Sequence, residues 1–400
     1  MLDADVIVIG AGPVGMLAAL LSAQQGLRVL LLEQEPVRQL QSRAIGITPP
    51  SLEILRSIGL SEAFIEQGVA VRVSEAFGRG MRLGRIDFSG LQGDFRFVLS
   101  IPQDRTESLL EEAILTQPSI RFLYGHRATS CTVGEGTASV SGELAGGGIF
   151  RFCGRCLMAC DGGRSSMREA LGIPFDGSQD RHTFLMGDFE DITGWEGRVR
   201  LFFTRRGSVE SFPLPQGRRR FVVRTPFFIS EYSGDYLKKE ILWRTGADVG
   251  NAGQFWESGY GVKNYTARTF CKGPVFLCGD AAHLMSAVGG QNMNTGFADA
   301  ELAAWFSKLL IDERVSPPLV ERFYDRVRRR AASAAARRAS WLMLLGTSGG
   351  RIWSPLRNLA TFIFLHTPIQ RVLIRLFSMQ SIPCRNLEHC REIYEKELGL

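Results

Sequence analysis

Between Asp5 and Gly15 the chain reads DVIVIGAGPVG, an apolar strand that runs straight into G-x-G-x-x-G at Gly10, Gly12 and Gly15. Each glycine in that spacing has a separate task. Gly10 permits a tight turn, Gly12 lets a pyrophosphate approach the backbone, and Gly15 lets the following helix pack on the strand. That helix, expected over Pro13 to Gln25, opens with Pro13 and Val14 in its first turn and presents unpaired N–H groups, so its N-terminus favours a phosphate dianion. A second strand, Arg28 to Leu32, ends at Glu33 and Gln34. A carboxylate about 20 residues beyond such a fingerprint suits a ribose diol and repels a 2'-phosphate, so the adenosine of FAD or NAD fits better than that of NADP.

The chain has 400 residues, 45% of them hydrophobic, which is enough for a cofactor domain and a substrate domain that share a core. With Asp5 to Ile9 committed to a strand, no signal peptide is expected ahead of it, and no run reaches the ~18 uninterrupted apolar residues of a membrane span. The expectation is a cytoplasmic protein. Of the eight cysteines, Cys153, Cys156 and Cys160 are close in sequence, but they fall on an expected strand with no histidine nearby, so reduced thiols are expected there and no metal. The net charge of +6 is unevenly spread: Arg326 to Arg385 contains eleven arginines and no Asp or Glu. No nucleic-acid signature accompanies them and no nucleic-acid partner is expected; the open readings are an anionic membrane surface and a set of helix-capping arginines.

Strand and helix patterns alternate along the chain. A helix is expected to start at Pro49 to Ser51, and IPQDRTESLLEEAIL from Ile101 to Leu115 reads as a strand end feeding an amphipathic helix. A β-meander is expected over Arg121 to Phe152, and a β-rich stretch over Thr183 to Phe228. Val275 to Cys278 is a strand that ends in Gly279 and Asp280, and long helices follow from about Asn294 to Leu310 and from Leu319 to Leu345.

Three segments now stand in order: GAGPVG with Glu33, then CDGGRSSMREALGI from Cys160, then GDAAHLMSAVGGQNMNTG from Gly279 to Gly296. In this combination the chain resembles the group A, para-hydroxybenzoate hydroxylase-like flavoprotein monooxygenases over about Asp5 to Arg330. The resemblance implies a mixed α/β fold: a Rossmann-like FAD-binding domain (1-68, 102-173 and 271-345), an inserted β-sheet substrate domain (69-101 and 174-270) and a C-terminal helical region (346-400). It implies FAD, NAD(P)H and O2, and hydroxylation of an apolar aromatic or polycyclic substrate through a flavin C4a-hydroperoxide. Baeyer-Villiger insertion or epoxidation on the same scaffold, and a non-oxygenating flavoprotein, are the alternatives. A homodimer stays open.

The same resemblance carries over site residues. Asp161 is implied to lie between the flavin pyrophosphate and the route of NAD(P)H, although an aspartate opening a helix is also a plain N-cap. Arg43, and Gln103 with Arg105, match positions near the adenosine and the ribityl chain; an exposed surface pair is the alternative. Asp280 is implied to bond the ribityl chain or to reach the pyrophosphate through water, with Gly279 at the turn. Gly290, Asn292, Met293 and Asn294 are implied to open a helix beneath the isoalloxazine. A helix N-terminus there stabilises the negative charge of reduced flavin by roughly 0.3 to 2 kcal/mol. His283 is expected to hold the turn, and no catalytic side chain is assigned, because the chemistry is flavin-centred.

The chain also departs from the family. Ser286 and Ala287 stand where relatives show Pro-Pro, which predicts a wider, more polar ring pocket, and Asn292 stands where they show Gly, a position expected to need positive φ. The substrate is expected on the β-sheet domain near Phe203, Phe212, Val222 and Arg224, with alternation making about half of these bystanders. For Trp341 to Ser378 two readings stand: helices packed over the flavin domain, or a peripheral membrane patch in which Leu373, Ile374, Leu376 and Phe377 enter the interface beside Arg371 and Arg375.

Overall fold

The computed structural model describes residues 2–38, 44–229 and 234–400. The apolar runs VIVI and VLLL become neighbouring strands, β1 (Ala4–Ile9) and β2 (Val29–Leu32), which pair in parallel. Val8 lies beside Leu31 on one side and Met158 on the other, all three fully buried. A strand buried on both faces needs such an unbroken apolar run, because no position on it faces water. Each of these side chains contributes about 1.5 to 3 kcal/mol by leaving water.

The first sheet holds eight strands. Its path is β17 (Cys271–Lys272), β18 (Val275–Leu277), β11 (Ile149–Ala159), β1, β2 and β8 (Ile120–Leu123), with β10 (Thr137–Leu144) attached to β11 and β9 (His126–Gly134) to β10. Helix α1 (Pro13–Gln24) packs between α4 (Gln103–Leu115) and α7 (Gln291–Ile311) beside it. Short helices α2 (Pro49–Ser57), α3 (Ser61–Gln67) and α5 (Ser166–Ala170) complete this half. As expected, α2 starts at the Pro-Pro-Ser sequence, and α7 and α8 (Pro317–Thr347) occupy the two long helical patterns.

The second sheet also has eight strands, in the order β19 (His283–Leu284), β16 (Gln254–Ala267), β12 (Phe175–Glu190), β15 (Arg218–Thr225), β14 (Gly207–Leu214), β13 (Val199–Thr204), β5 (Val73–Gly78) and β6 (Met81–Asp87). Its two faces separate by alternation. Phe221 and Val223 pack with Leu237 and Ile241 of α6 (Gly234–Thr245), whereas Arg220 and Val222 point to a cavity on the other side. A three-stranded sheet, β3 (Gly46–Ile47), β7 (Val98–Ser100) and β4 (Val69–Val71), links the halves, with the Ser100 hydroxyl donating to the Pro213 carbonyl at 2.6 Å. The Gly279–Ala281 turn follows β18 of the first sheet, and two residues later His283 and Leu284 join the edge of the second, so this motif lies where the two sheets meet.

The C-terminal helices differ from the expectation. Helices α9 (Trp353–His366) and α10 (Gln370–Phe377) pack on β6 of the second sheet, not over the cofactor side. Leu373 and Ile374 are buried there with Ile86 and Leu83. Their side chains share the inner stripe of α10 while Arg371 and Arg375 point out, so they are not free to enter a membrane interface. Only α11 (Arg391–Leu398) reaches the cofactor side, where Tyr394 meets Trp305 and Phe323. No single described helix is long and apolar enough to cross a membrane; α9 and α10 pass by composition only as a pair, bent by 97°.

Candidate active site

Gly10 turns the chain out of β1 with φ +94°, and a Cβ on Gly15 would lie 1.9 Å from the Gly10 carbonyl oxygen. That contact is what lets α1 sit on the strand. A Cβ on Gly12 would meet nothing within 4 Å, because Gly12, Pro13 and Val14 face open space. No side chain caps α1, so its first-turn N–H groups point into that space unpaired. The space is a cavity of about 1060 Å³ that continues past Ala44, Gly46 and Gln103 to the second sheet. A second helix N-terminus opens onto it. Helix α7 is also uncapped by any side chain, and its N-cap Gly290 has φ +64°. Two dipole ends of the same sign on one cavity fit a ligand with a pyrophosphate at one place and a developing anion at another.

The expected residues fall into three sets. Gly12, Pro13, Val14, Gln103, Asp280, Gly290, Asn292 and Met293 line the cavity. A second set positions it without facing it. Glu33 accepts from the Ala11 N–H at 2.7 Å and the Glu35 N–H at 3.0 Å, which ties the end of β2 to the glycine turn, and Gln34 beside it is exposed. Gly279 contributes its N–H to Asp299 at 3.0 Å, and Asn294 clamps α7 to the β3 segment through the Thr48 N–H at 2.9 Å and the Gly46 carbonyl at 2.9 Å. Arg43 lies outside the described residues.

The third set is where the structure departs from expectation. Asp161 does not line the cavity; its carboxylate accepts from the Ser165 hydroxyl at 2.5 Å and the Met167 N–H at 3.1 Å, turned into the start of α5. Burial pushes this carboxyl up despite those bonds. Its neighbours Gly162, Gly163 and Arg164 line the cavity instead. Arg105 is exposed and bonded to Gln67, the surface pair. Ser286 is fully buried and off the cavity, its hydroxyl receiving the Val288 N–H at 3.3 Å and facing the Met343 sulfur, so it does not make the ring pocket more polar. Ala287 lines it. Asn292 sits in the first turn of α7 without a positive φ; the left-handed positions are Gly289 and Gly290, so the glycine requirement lies two residues upstream.

Asn292 has another use. Its amide donates to Asp280 at 2.6 Å, and its oxygen faces His283 Nδ1 at 3.1 Å. His283 is enclosed, with Nε2 2.7 Å from Asp299. Asp299 and Arg328 were not singled out from sequence. They form a fully buried pair at 2.6 Å, and Arg328 also donates to the Thr295 and Cys384 carbonyls. Burial pushes the Asp299 carboxyl up, but Arg328 and then His283 outweigh it and hold it below the usual range. The signal available in the sequence was a pair of acids, Asp299 and Glu301, inside the mostly apolar run FADAELAAWF. Arg168 is likewise a tie, donating to the Gly163 carbonyl at 3.1 Å and the Ala281 carbonyl at 3.0 Å, which joins the second motif to the third.

At the sheet end, Phe203, Phe212 and Val222 line the cavity. Arg224 shares their face but reaches past the cavity to the Arg206 carbonyl at 3.3 Å. Met186, Glu210, Arg220 and Tyr260 also line this wall, and none was singled out from sequence. The signal was the spacing of two: Glu210 precedes Phe212 and Arg220 precedes Val222 on the same faces. Arg220 is held bidentate by Asp188 at 2.6 and 2.7 Å. Among the described residues no hydrogen bond or ion pair reaches the Glu210 carboxyl, and burial alone pushes it up to about 7. Tyr260, stacked on Phe184, is pushed up by burial and by Glu210, with Arg220 opposing.

The chain matches the FAD binding domain family over residues 3–339. It belongs to this family of flavoprotein monooxygenases. It is 33% identical over 311 residues to rifampicin monooxygenase of Streptomyces venezuelae, covering 75% of this chain and 63% of that protein. It is 31% identical over 354 residues to a 12-dehydrotetracycline 5-monooxygenase/anhydrotetracycline 6-monooxygenase of Streptomyces rimosus, covering 83% and 68%. The chain spans 60% to 68% of the length of the curated relatives it matches. Among solved structures, the OxyS anhydrotetracycline hydroxylase of Streptomyces rimosus superposes with TM-score 0.78 at 27% identity, covering 95% of this chain and 76% of that one. The p-nitrophenol 4-monooxygenase PnpA of Pseudomonas putida gives TM-score 0.85 at 20% identity, covering 94% and 98%, and shows the shared fold. The family cofactor is FAD, and the open space at Gly12 with the two uncapped helix ends fits it.

Proposed function

We propose that this chain hydroxylates an apolar aromatic or polycyclic substrate that carries a hydroxyl group, using FAD, NAD(P)H and O2. The observation that carries the reading is the single cavity, which runs from the N-termini of α1 and α7 to an aromatic sheet face. Bound FAD would accept hydride from NAD(P)H and, with O2, supply one oxygen atom to the substrate. The first-turn N–H groups beside Gly12 and Val14 hold its pyrophosphate, Glu33 serves the ribose end through the loop it ties, and Gln103 and Asp280 face the ribityl chain. The α7 N-terminus, steadied by Asn294 and the Asp299–Arg328 pair, meets the anionic edge of the reduced ring. Phe203, Phe212 and Val222 orient a planar substrate. Glu210, a carboxyl that neighbouring groups leave free, accepts the proton of the substrate hydroxyl and makes its ring more electron-rich. That role favours hydroxylation over Baeyer-Villiger insertion, which needs no such acceptor.

The division expected from sequence is retained as a proposal: a cofactor domain of 1-68, 102-173 and 271-345, a substrate domain of 69-101 and 174-270, and a helical region of 346-400. A cytoplasmic site of action with peripheral membrane contact through that last region belongs to the same proposal. Incubation with NAD(P)H, isotopically heavy O2 and a panel of phenolic polycycles tests the activity. Substrate-stimulated NAD(P)H oxidation with one heavy oxygen in the product is expected; oxidation that no substrate accelerates, with no label incorporated, overturns it.

A further inference from the structure

Helix α9 is inside out. A helix on a globular protein turns its apolar stripe inward, yet α9 buries Ser354, Arg357, Asn358 and Thr361, with Leu365 near its C-terminal end the one apolar member of the buried set. Its outer face carries Trp353, Leu356, Leu359, Phe362 and Ile363, exposed by 68%, 53%, 57%, 45% and 46%. The orientation is held in place by its polar side. Arg357 donates to the Thr204 carbonyl at 3.2 Å, to the Ser348 carbonyl and to Ser354, and its guanidinium lies over Phe203. Asn358 occupies the space that a Cβ on Gly78 would fill. Rolling the helix to hide its leucines would strand Arg357, so the apolar face stays out.

The neighbouring segments extend that face. Trp341 and Leu344 at the end of α8, Ile352, Ile369 just before α10 and Val372 on it are exposed as well. An apolar surface built from so many large side chains in one stretch marks an interaction site. Its charge selects the partner: the sixty residues around it hold eleven arginines and no acid, and Arg351, Arg371 and Arg375 are exposed there.

We propose that the outer face of α9, with the end of α8, docks on an anionic lipid bilayer. At 14 residues α9 is too short to span one, and the 97° bend to α10 lays the pair in the interface plane. A second copy of this chain is disfavoured, because an isologous contact would bring the same acid-free arginines face to face. Leu342 and Leu345 at the end of α8 and Phe377 of α10 line the cavity, so the α8 part of the docked face lies one helix thickness from it. Collection of an apolar substrate from the lipid rests on the function proposed above; the docking does not.

Flotation with vesicles of phosphatidylcholine alone or mixed with phosphatidylglycerol, in low and high salt, tests the docking on the flavin-loaded protein. Binding to the anionic vesicles only, reduced by salt, with a blue shift of tryptophan emission, is expected. Leu359→Ser with Phe362→Ser and Ile363→Ser, all exposed positions, should weaken it about tenfold or more with flavin content unchanged, and Arg371→Glu with Arg375→Glu should do the same without touching the apolar face. No flotation, equal flotation on neutral vesicles, or a dimer in solution that the triple serine variant dissolves would overturn the proposal. Because binding is read without turnover, an inactive enzyme that still floats would count against the function and leave the docking intact.

Discussion

The two ends of the cavity are specified by different parts of the chain. At the cofactor end recognition is carried by backbone: the turn at Gly10, the open approach at Gly12, the close packing at Gly15 and two uncapped helix N-termini. At the sheet end it is carried by single side chains from several strands, with Glu210 on β14, Val222 on β15 and Tyr260 on β16. Backbone recognition tolerates few residue types and leaves glycines at set spacings. Side-chain recognition leaves only alternation, which any half-buried strand shows.

If the cofactor end depends on buried support, Arg328→Met is the most damaging single change, because it leaves Asp299 buried without its cation, at a cost of about 3 to 5 kcal/mol. Urea denaturation should show that loss, while Arg329→Met on the exposed side of α8 should stay within about 1 kcal/mol; equal losses would break the distinction. The lowered Asp299 carboxyl sets the pH window as well. Its contribution is fully present above the ordinary aspartate value of 3.8 and is lost as pH falls through the lower folded value.

The glycines come next. Gly15→Ala should cost about 3 kcal/mol, since its Cβ would lie 1.9 Å from a backbone oxygen that cannot move aside. Gly12→Ala should keep the melting temperature and lose the flavin absorbance, because its Cβ meets only the space meant for the pyrophosphate. A Gly12→Ala protein that retains bound flavin would show that the approach is not as close as proposed.

At the sheet end Glu210→Gln should leave flavin content and fold intact and lower turnover of a phenolic substrate by roughly 100-fold, the low end for a lost general base. Wild-type turnover should rise with pH through about 7 and the variant's should be flat in that range. Stability gives a second readout. The folded carboxyl is raised from 4.5 to about 7, so its favourable contribution is present below 4.5 and lost as pH rises to about 7, a loss the glutamine variant should not show. A variant with the same pH profile as wild type would remove Glu210 from the mechanism.

The smallest effect is expected at Ser286→Ala, which gives up one bond to the Val288 N–H, worth about 1 kcal/mol in a melt. Substrate KM should not move, since the hydroxyl faces Met343 and not the cavity. A changed KM would return Ser286 to the pocket wall.

The cofactor end was the more legible for the reason given by the glycines, and its errors are instructive. Asp161 and Ser286 belong to the right motifs but face away from the cavity, because whether an acid opening a helix serves the ligand or the helix depends on where that helix points. Asn292, expected at a position of positive φ, is a hydrogen-bonding bridge between Asp280 and His283. At the sheet end three of the four chosen residues line the cavity, but the charged members of the wall were passed over.

What sequence alone determined is the set of things local sterics and polarity decide: the βαβ start, the pyrophosphate turn, the strand and helix alternation, the acid-free arginine stretch. What only the tertiary structure decided is which face of an element meets which neighbour. Helix α9 shows this most plainly. Its residues alone permit the usual apolar-in orientation, and it is the anchoring of Arg357, by a hydrogen bond to the Thr204 carbonyl of a distant hairpin, that turns its apolar face outward.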